Sequence, residues 1–306
     1  MTPAIVAGTT TSADGTPIAW FRSGDGPPLV LVHGATADHT AWRTAGPLLA
    51  TSHTLYAIDR RGRGASGDTA TYAIAREYED VAAIVDAVAL AEGRPVDVVG
   101  HSFGGRVGLG AALLTPHLRR LVVYEGAPAP DGRSFHGTAV MNRLETLAAD
   151  DDRAGLLAYF LATVVGMTTD ELAAYRLEPT WRARVEAAPT IVREMWAEAT
   201  EEAGPERYAG FRSPVLQLIG SESGALFTDG TWALDRLLPN GRVVVIPGAR
   251  HAAHHTHPER FVHEVRTFLH DPTLEPIGRG PTDDPGHETL PHGDGRPPGD
   301  IPFEHD

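Results

Sequence analysis

Val96-Asp97-Val98-Val99-Gly100-His101-Ser102-Phe103-Gly104-Gly105 decides the fold of this chain. Three valines in four positions read as a buried strand, and the residues after Gly104 continue as a helix to about position 114. Between them lies G-x-S-x-G, which carries meaning only when a strand precedes it and a helix follows, as here. A turn that tight strains the serine backbone and leaves no room for side chains at its flanks, so glycines stand there. What results is an exposed hydroxyl at a helix N-terminus, with the Phe103 amide placed to donate to an oxyanion. Ser102 is therefore the candidate nucleophile.

The pattern repeats outward from this point. Short β-branched runs at 18–22, 29–32, 55–58, 121–124, 215–219 and 243–246 alternate with longer amphipathic stretches at 42–50, 76–91, 231–238 and 258–269. Within 76–91, Val81, Ile84, Val85 and Val88 recur at the spacing that builds one buried helical face. Nearly unbroken apolar strands separated by helices predict an α/β fold with a mostly parallel sheet covered on both sides. Over 127–211 the strand pattern stops and helical segments at 156–165, 170–175 and 191–203 take over. An all-helical insertion there reads as a cap over the carboxyl edge of the sheet, where open α/β sheets bind ligands. The expected organisation is a core formed by 1–126 and 212–270, a helical cap at 127–211, and a tail at 271–306. That tail is rich in proline, glycine and acid, and is expected to be disordered.

With these segments in place, the chain resembles the α/β-hydrolase superfamily over about residues 15–270. Leu29-Val30-Leu31-Val32-His33-Gly34-Ala35 is similar to the family's strand ending in His-Gly. The resemblance implies that Ala35 gives a second oxyanion amide beside that of Phe103, with Gly34 at the substrate. Asp59-Arg60-Arg61-Gly62-Arg63-Gly64-Ala65-Ser66 resembles the family's D-x-R-G-x-G-x-S loop, to which the resemblance assigns a structural role beneath the elbow. After the last strand, Val243-Val244-Val245-Ile246-Pro247-Gly248-Ala249-Arg250-His251 supplies the general base, His251, with Pro258 opening the final helix seven residues on. The family's usual glycine before this histidine is Arg250 here. His254, His255 and His257 crowd the same region and raise a metal site as an alternative, but no carboxylate spacing supports one.

Two residues compete to be the acid. The family commonly places an aspartate three residues after the glycine ending the seventh strand, where Gly220-Ser221-Glu222-Ser223-Gly224 has Ser223 instead. Glu222 is one residue early and would start from a different direction. In Leu121-Val122-Val123-Tyr124-Glu125-Gly126-Ala127-Pro128 a glutamate ends the sixth strand, similar to the arrangement in some haloalkane dehalogenases and fungal zearalenone lactonases. A carboxylate ending an apolar strand costs too much desolvation without a partner, and an imidazole that becomes charged is one. Glu125 is the first candidate, Glu222 the second.

Composition narrows the chemistry. The chain has no cysteine and no lysine, so all 26 basic residues are arginine. That excludes disulfides, thiolate chemistry, a lysine Schiff base and a Walker-type phosphate loop. A net charge of -14 disfavours nucleic acid, although residues 271–306 alone carry nine acids against two arginines, a net of -7. No signal peptide and no membrane span are read, so a cytoplasmic enzyme without metal or cofactor is expected.

A serine where dehalogenases and epoxide hydrolases of this fold carry aspartate argues for acyl chemistry. The large apolar cap residues Tyr159, Phe160, Met167, Trp181, Met195 and Trp196 suggest a small hydrophobic substrate, with Trp181 and Trp196 as candidates to touch it. The expected function is hydrolysis of a small hydrophobic carboxylic ester or lactone through an acyl-enzyme. The alternatives are carbon–carbon bond hydrolysis of a diketone-like substrate and a non-catalytic ligand-binding protein on the same fold.

Overall fold

The computed structural model describes residues 6–130, 137–200 and 205–274, so most of the tail, from residue 275, lies outside the described residues. Eight strands form one sheet: β1 Val6–Thr11, β2 Pro17–Ser23, β3 Pro28–Val32, β4 Thr54–Ile58, β5 Val96–His101, β6 Leu118–Tyr124, β7 Val215–Gly220 and β8 Gly241–Ile246. Their order in space is β1-β2-β4-β3-β5-β6-β7-β8. The pairs made by β2 are antiparallel, and every other pair is parallel. The helices are α1 Ala45–Leu49, α2 Ile74–Glu92, α3 Phe103–Ala111, α4 Thr138–Ala149, α5 Arg153–Thr163, α6 Thr169–Tyr175, α7 Trp181–Ala187, α8 Thr190–Thr200, α9 Ala225–Asp235, α10 Ala253–Thr256 and α11 Pro258–Leu269.

Strand side chains alternate between faces, and the two cores divide along that alternation. Val30 and Val32 of β3, Val98 of β5 and Leu121 and Val123 of β6 pack with α2 and α3. Leu29 and Leu31, Val99, and Val122 and Tyr124 pack on the other face with α1 and α11. Because α1 and α3 leave the neighbouring strands β3 and β5 for opposite faces, a crevice opens between those strands, where the strand order reverses. Ligands of open α/β sheets bind at the carboxyl ends of the strands at such a point.

Helices α4 to α8 run between β6 and β7. Their apolar residues, among them Met141, Leu144, Leu156, Phe160, Ile191 and Met195, join the core cluster that contains α2 and α3. Three elements depart from expectation. β1 is an antiparallel edge strand that pattern did not reveal. The helix expected at 42–50 is a 3-10 turn, His39–Trp42, followed by the short α1. The helix expected at 231–238 begins six residues earlier, at Ala225.

Candidate active site

Every candidate polar group sits just past the carboxyl end of a strand. Gly34 and Ala35 follow β3, Ser102 follows β5, Glu125 follows β6, Ser223 follows β7 and His251 follows β8. Ser102 has φ 54° and ψ -128°, and its N–H donates to Tyr124 O at 2.8 Å. Such a backbone costs roughly 1–3 kcal/mol in a residue with a side chain, and packing has to hold it. The glycines around it leave no alternative: a Cβ on Gly100 would meet Gly104 O at 2.5 Å, and one on Gly126 would meet Ser102 O at 2.4 Å. Phe103 is the first residue of α3, so helix geometry leaves its N–H without an intrahelical acceptor.

Glu125 also has a left-handed backbone, φ 49°, and its side chain is wholly buried. One carboxylate oxygen accepts from Gly220 N at 2.8 Å and from the Ser223 hydroxyl at 2.5 Å. The other meets His251 Nδ1 at 2.6 Å. Glu222, the competing acid, is exposed and does not take that place. Ser223, which stands where the family commonly has aspartate, thus donates to the Glu125 carboxylate. Since the carboxylate accepts, Nδ1 of neutral His251 carries the hydrogen and Nε2 keeps its lone pair, the state a general base needs.

The histidine loop is fixed from below. The Tyr124 hydroxyl donates to Arg250 O and accepts from Ala253 N at 3.0 Å, on either side of His251. His101 Nε2 donates to His251 O at 2.7 Å. Phe227 stacks on the His251 ring, with centroids 4.2 Å apart and planes at 20°. His101 and His254 are held neutral, their pKa well below the ordinary histidine value because burial disfavours the charged ring and neighbouring imidazoles add repulsion. Burial also lowers His255 to about 3, with the Arg43 charge assisting. His254, His255 and His257 do not converge as ligands: among the described residues no three His, Asp or Glu side chains form a group able to hold a metal ion.

Ser102, His251, Glu125, Ala35 and Phe103 line one cavity of about 50 Å³, closed by Ala127, Phe160, Val164, Val165, Met195, Glu198, Leu226 and Phe227 together with Gly126. It abuts a second, outer cavity of about 300 Å³ that shares Val164, Val165, Leu226, Phe227 and His251, and adds Glu222 and Arg250. Trp181 and Trp196, expected at the substrate, lie away from it. Trp181 packs edge-on against Tyr175 at 6.0 Å, and Trp196 is 45% exposed with its Nε1 on Glu145. Neither lines the cavity at Ser102. On α8 it is Met195 and Glu198, three residues apart, that face the cavity, and Trp196 is turned about 100° away from Met195. Gly34 does not line the cavity either. A Cβ there would stand 3.1 Å from that of Ser102, so glycine is what lets the two loops approach.

The loop 59–66 lies behind this wall, with Asp59 accepting from His39 N and Ala65 N at 2.8 and 2.9 Å. Arg60, fully buried, forks onto Glu77 at 2.6 and 2.8 Å and also donates to Glu194 of α8. Burial opposes its charge, but Glu194 and Glu77 more than offset this and raise its pKa.

The sequence profile of the alpha/beta hydrolase family matches residues 29–264. The chain is 26% identical over 264 residues to pimeloyl-[acyl-carrier protein] methyl ester esterase of Photobacterium profundum, covering 83% of this chain and 99% of that protein. It is 27% identical over 255 residues to 2-hydroxy-6-oxo-2,4-heptadienoate hydrolase of Pseudomonas putida, covering 80% and 90%. Among solved structures, an alpha/beta hydrolase from Sphaerobacter thermophilus superimposes with a TM-score of 0.73 at 34% identity, covering 86% of this chain and all of the other. With a strand–serine–helix elbow, an eight-stranded sheet and this family profile spanning most of its length, the chain belongs to the alpha/beta hydrolase family.

Proposed function

We propose that this protein is a serine hydrolase that cleaves a small, uncharged, apolar carboxylic ester or lactone through an acyl-enzyme. The observation that carries the proposal is the convergence of Ser102, the Glu125–His251 pair and the Ala35 and Phe103 backbone on one apolar cavity. His251 Nε2 takes the proton as Ser102 Oγ attacks the carbonyl carbon, and the Ala35 and Phe103 amides hold the oxyanion. His251 then returns the proton to the leaving alcohol, and water repeats the cycle on the acyl-enzyme. Glu125 orients the ring and stabilises its charged form.

The second reading, carbon–carbon hydrolysis, draws support from the heptadienoate hydrolase relative. An anionic dienoate needs a cation to replace its water shell; no arginine is among the described lining residues of the inner cavity, and Arg250 of the adjoining one is already engaged by Gly166 O at 2.6 Å and by Glu171 at 3.8 Å. That favours the neutral ester. The test is turnover of p-nitrophenyl butyrate beside a ring-cleavage dienoate, by the wild-type chain and by Ser102→Ala. The expected outcome is ester hydrolysis that falls by about a thousandfold or more in Ser102→Ala with the fold intact. Wild-type ester turnover in Ser102→Ala would overturn the mechanism, and turnover of the dienoate alone would overturn the substrate class.

A further inference from the structure

The Gly34–Ala35 peptide is held from behind. Arg60 N–H donates to His33 Nε2 at 3.0 Å, so that nitrogen carries the lone pair. The His33 ring is neutral, because burial and then the Arg60 charge lower its pKa well below the ordinary value. Its one hydrogen is therefore on Nδ1, which donates to Gly34 O at 2.8 Å. Arg60 Nη1 donates to the same oxygen at 3.1 Å. The Ala37 N–H also reaches this oxygen, at a longer 3.4 Å, and with His33 and Arg60 holding Gly34 O from the interior the peptide plane is fixed. In a trans peptide the following N–H points opposite to the carbonyl. The Ala35 N–H thus points away from Arg60 and His33, on a residue that shares the cavity wall with Ser102. A cation on the carbonyl oxygen also polarises the amide and strengthens its N–H as a donor.

The same guanidinium stands 4.5 Å over the ring of Phe103, the residue that carries the other amide. Its remaining nitrogens are committed to Glu77 of α2 and Glu194 of α8. Glu194 precedes Met195, which faces the cavity, so the helix that shapes the substrate wall also supplies a counter-charge to Arg60.

We propose that Arg60 is a positioning residue of the oxyanion hole: it holds the Gly34 carbonyl, aims the Ala35 N–H at the developing oxyanion, and is itself held by Glu194 of α8. This rests on the serine-hydrolase mechanism proposed above. It goes beyond the structural role that the D-x-R-G-x-G-x-S resemblance implies for the loop.

Arg61 provides a matched control. It is as buried as Arg60, forks onto Asp80 at 2.6 and 2.7 Å, and makes none of its hydrogen bonds to Gly34 or Ala35. The experiment compares Arg60→Lys with Arg61→Lys, below the Tm of both, by kcat and KM on p-nitrophenyl butyrate and by affinity for an alkyl boronic acid that forms a tetrahedral serine adduct. Both variants are expected to lose thermal stability. Arg60→Lys alone is expected to lower kcat about 10- to 100-fold with KM within about threefold, and to weaken boronate binding in step with kcat/KM. Equal kcat in the two variants would overturn the inference. Should Arg60→Lys not fold, Glu194→Gln decides: a several-fold fall in kcat at constant KM supports it, and an unchanged kcat overturns it. Full activity in Ser102→Ala would instead remove the mechanism beneath, which no result with Arg60 mimics.

Discussion

Glu125 Oε2 and His251 Nδ1 meet at 2.6 Å across 126 residues of sequence, from the ends of β6 and β8. The carboxylate follows directly on Tyr124, whose hydroxyl bridges the backbone on either side of His251. One strand end therefore fixes both the ring and the loop that carries it.

Glu125→Gln keeps the shape of the side chain but offers His251 Nδ1 a neutral partner that can present either oxygen or N–H. Loss of the correct tautomer and of charge stabilisation is expected to lower kcat by about 10³- to 10⁴-fold, as loss of the triad carboxylate does elsewhere. Glu222→Gln, exposed and not the residue that meets His251 Nδ1, is expected to stay within about twofold. Steady-state kinetics on one ester, with circular dichroism to verify folding, checks both. The reverse ranking would move the acid to the loop after β7.

Ser223→Ala removes one of the two donors on Glu125 Oε1 and leaves Gly220 N. A lost hydrogen bond to a buried charged group is expected to cost about 1.5–3 kcal/mol in denaturant unfolding. Activity is expected to fall less than in Glu125→Gln. A variant as stable as the wild type would show that the hydroxyl contributes nothing.

How much of this was legible in the sequence follows from the kind of force involved. Strands buried on both faces read as apolar runs, which shows β3 to β7; the edge strand β8 shows itself by the run Val243-Val244-Val245-Ile246, and β2 by the run at 18–22. β1, Val6-Ala7-Gly8-Thr9-Thr10-Thr11, shows no such run because an edge strand need not be apolar. The start of α9 was hidden because Leu226 and Phe227 face the cavities rather than the core, which breaks the helical period. Ser102 is legible in the strand–G-x-S-x-G–helix pattern, whereas Glu125, directly after β6, and His251, in the loop after β8, are named through the resemblance to the α/β-hydrolase superfamily. The size of Trp181 and Trp196 marks them as candidates to touch a substrate, but size says nothing about the direction a helix turns them. The Arg60–Glu194 pair spans 134 residues with no periodic signal, and only the fold brings it together.

Stability should depend on pH through the buried imidazoles. His33, His101 and His254 have folded-state pKa values well below the usual one, chiefly through burial, and His255 is lowered to about 3. Each is neutral when folded but takes a proton when unfolded below about pH 6.5. Their contribution is complete above that pH and is lost as pH falls toward the folded-state values. Each such proton lowers stability by about 1.4 kcal/mol per pH unit. His254→Phe suits a site already bounded by Trp42, Tyr124 and Phe261. Denaturant unfolding between pH 7 and 5 is expected to show a slope shallower by about one proton in this variant. An unchanged slope would mean that His254 is protonated in the fold.

The inner cavity, about 50 Å³, is bounded on one side by Met195. Met195→Ala is expected to cost about 2–5 kcal/mol in stability and to shift the preferred acyl chain of p-nitrophenyl esters to longer members. A chain-length profile of kcat/KM checks this. An unshifted profile would place the acyl group elsewhere.

The nucleophile itself is tested most directly with a fluorophosphonate, which phosphonylates only an activated serine whose hydroxyl oxygen can attack the phosphorus in line with the departing fluoride. One label per folded chain is expected, mapped by peptide mass to Ser102, with no label on the His251→Ala variant. A folded wild-type chain that stays unlabelled, or that carries its label on another residue, would contradict that expectation.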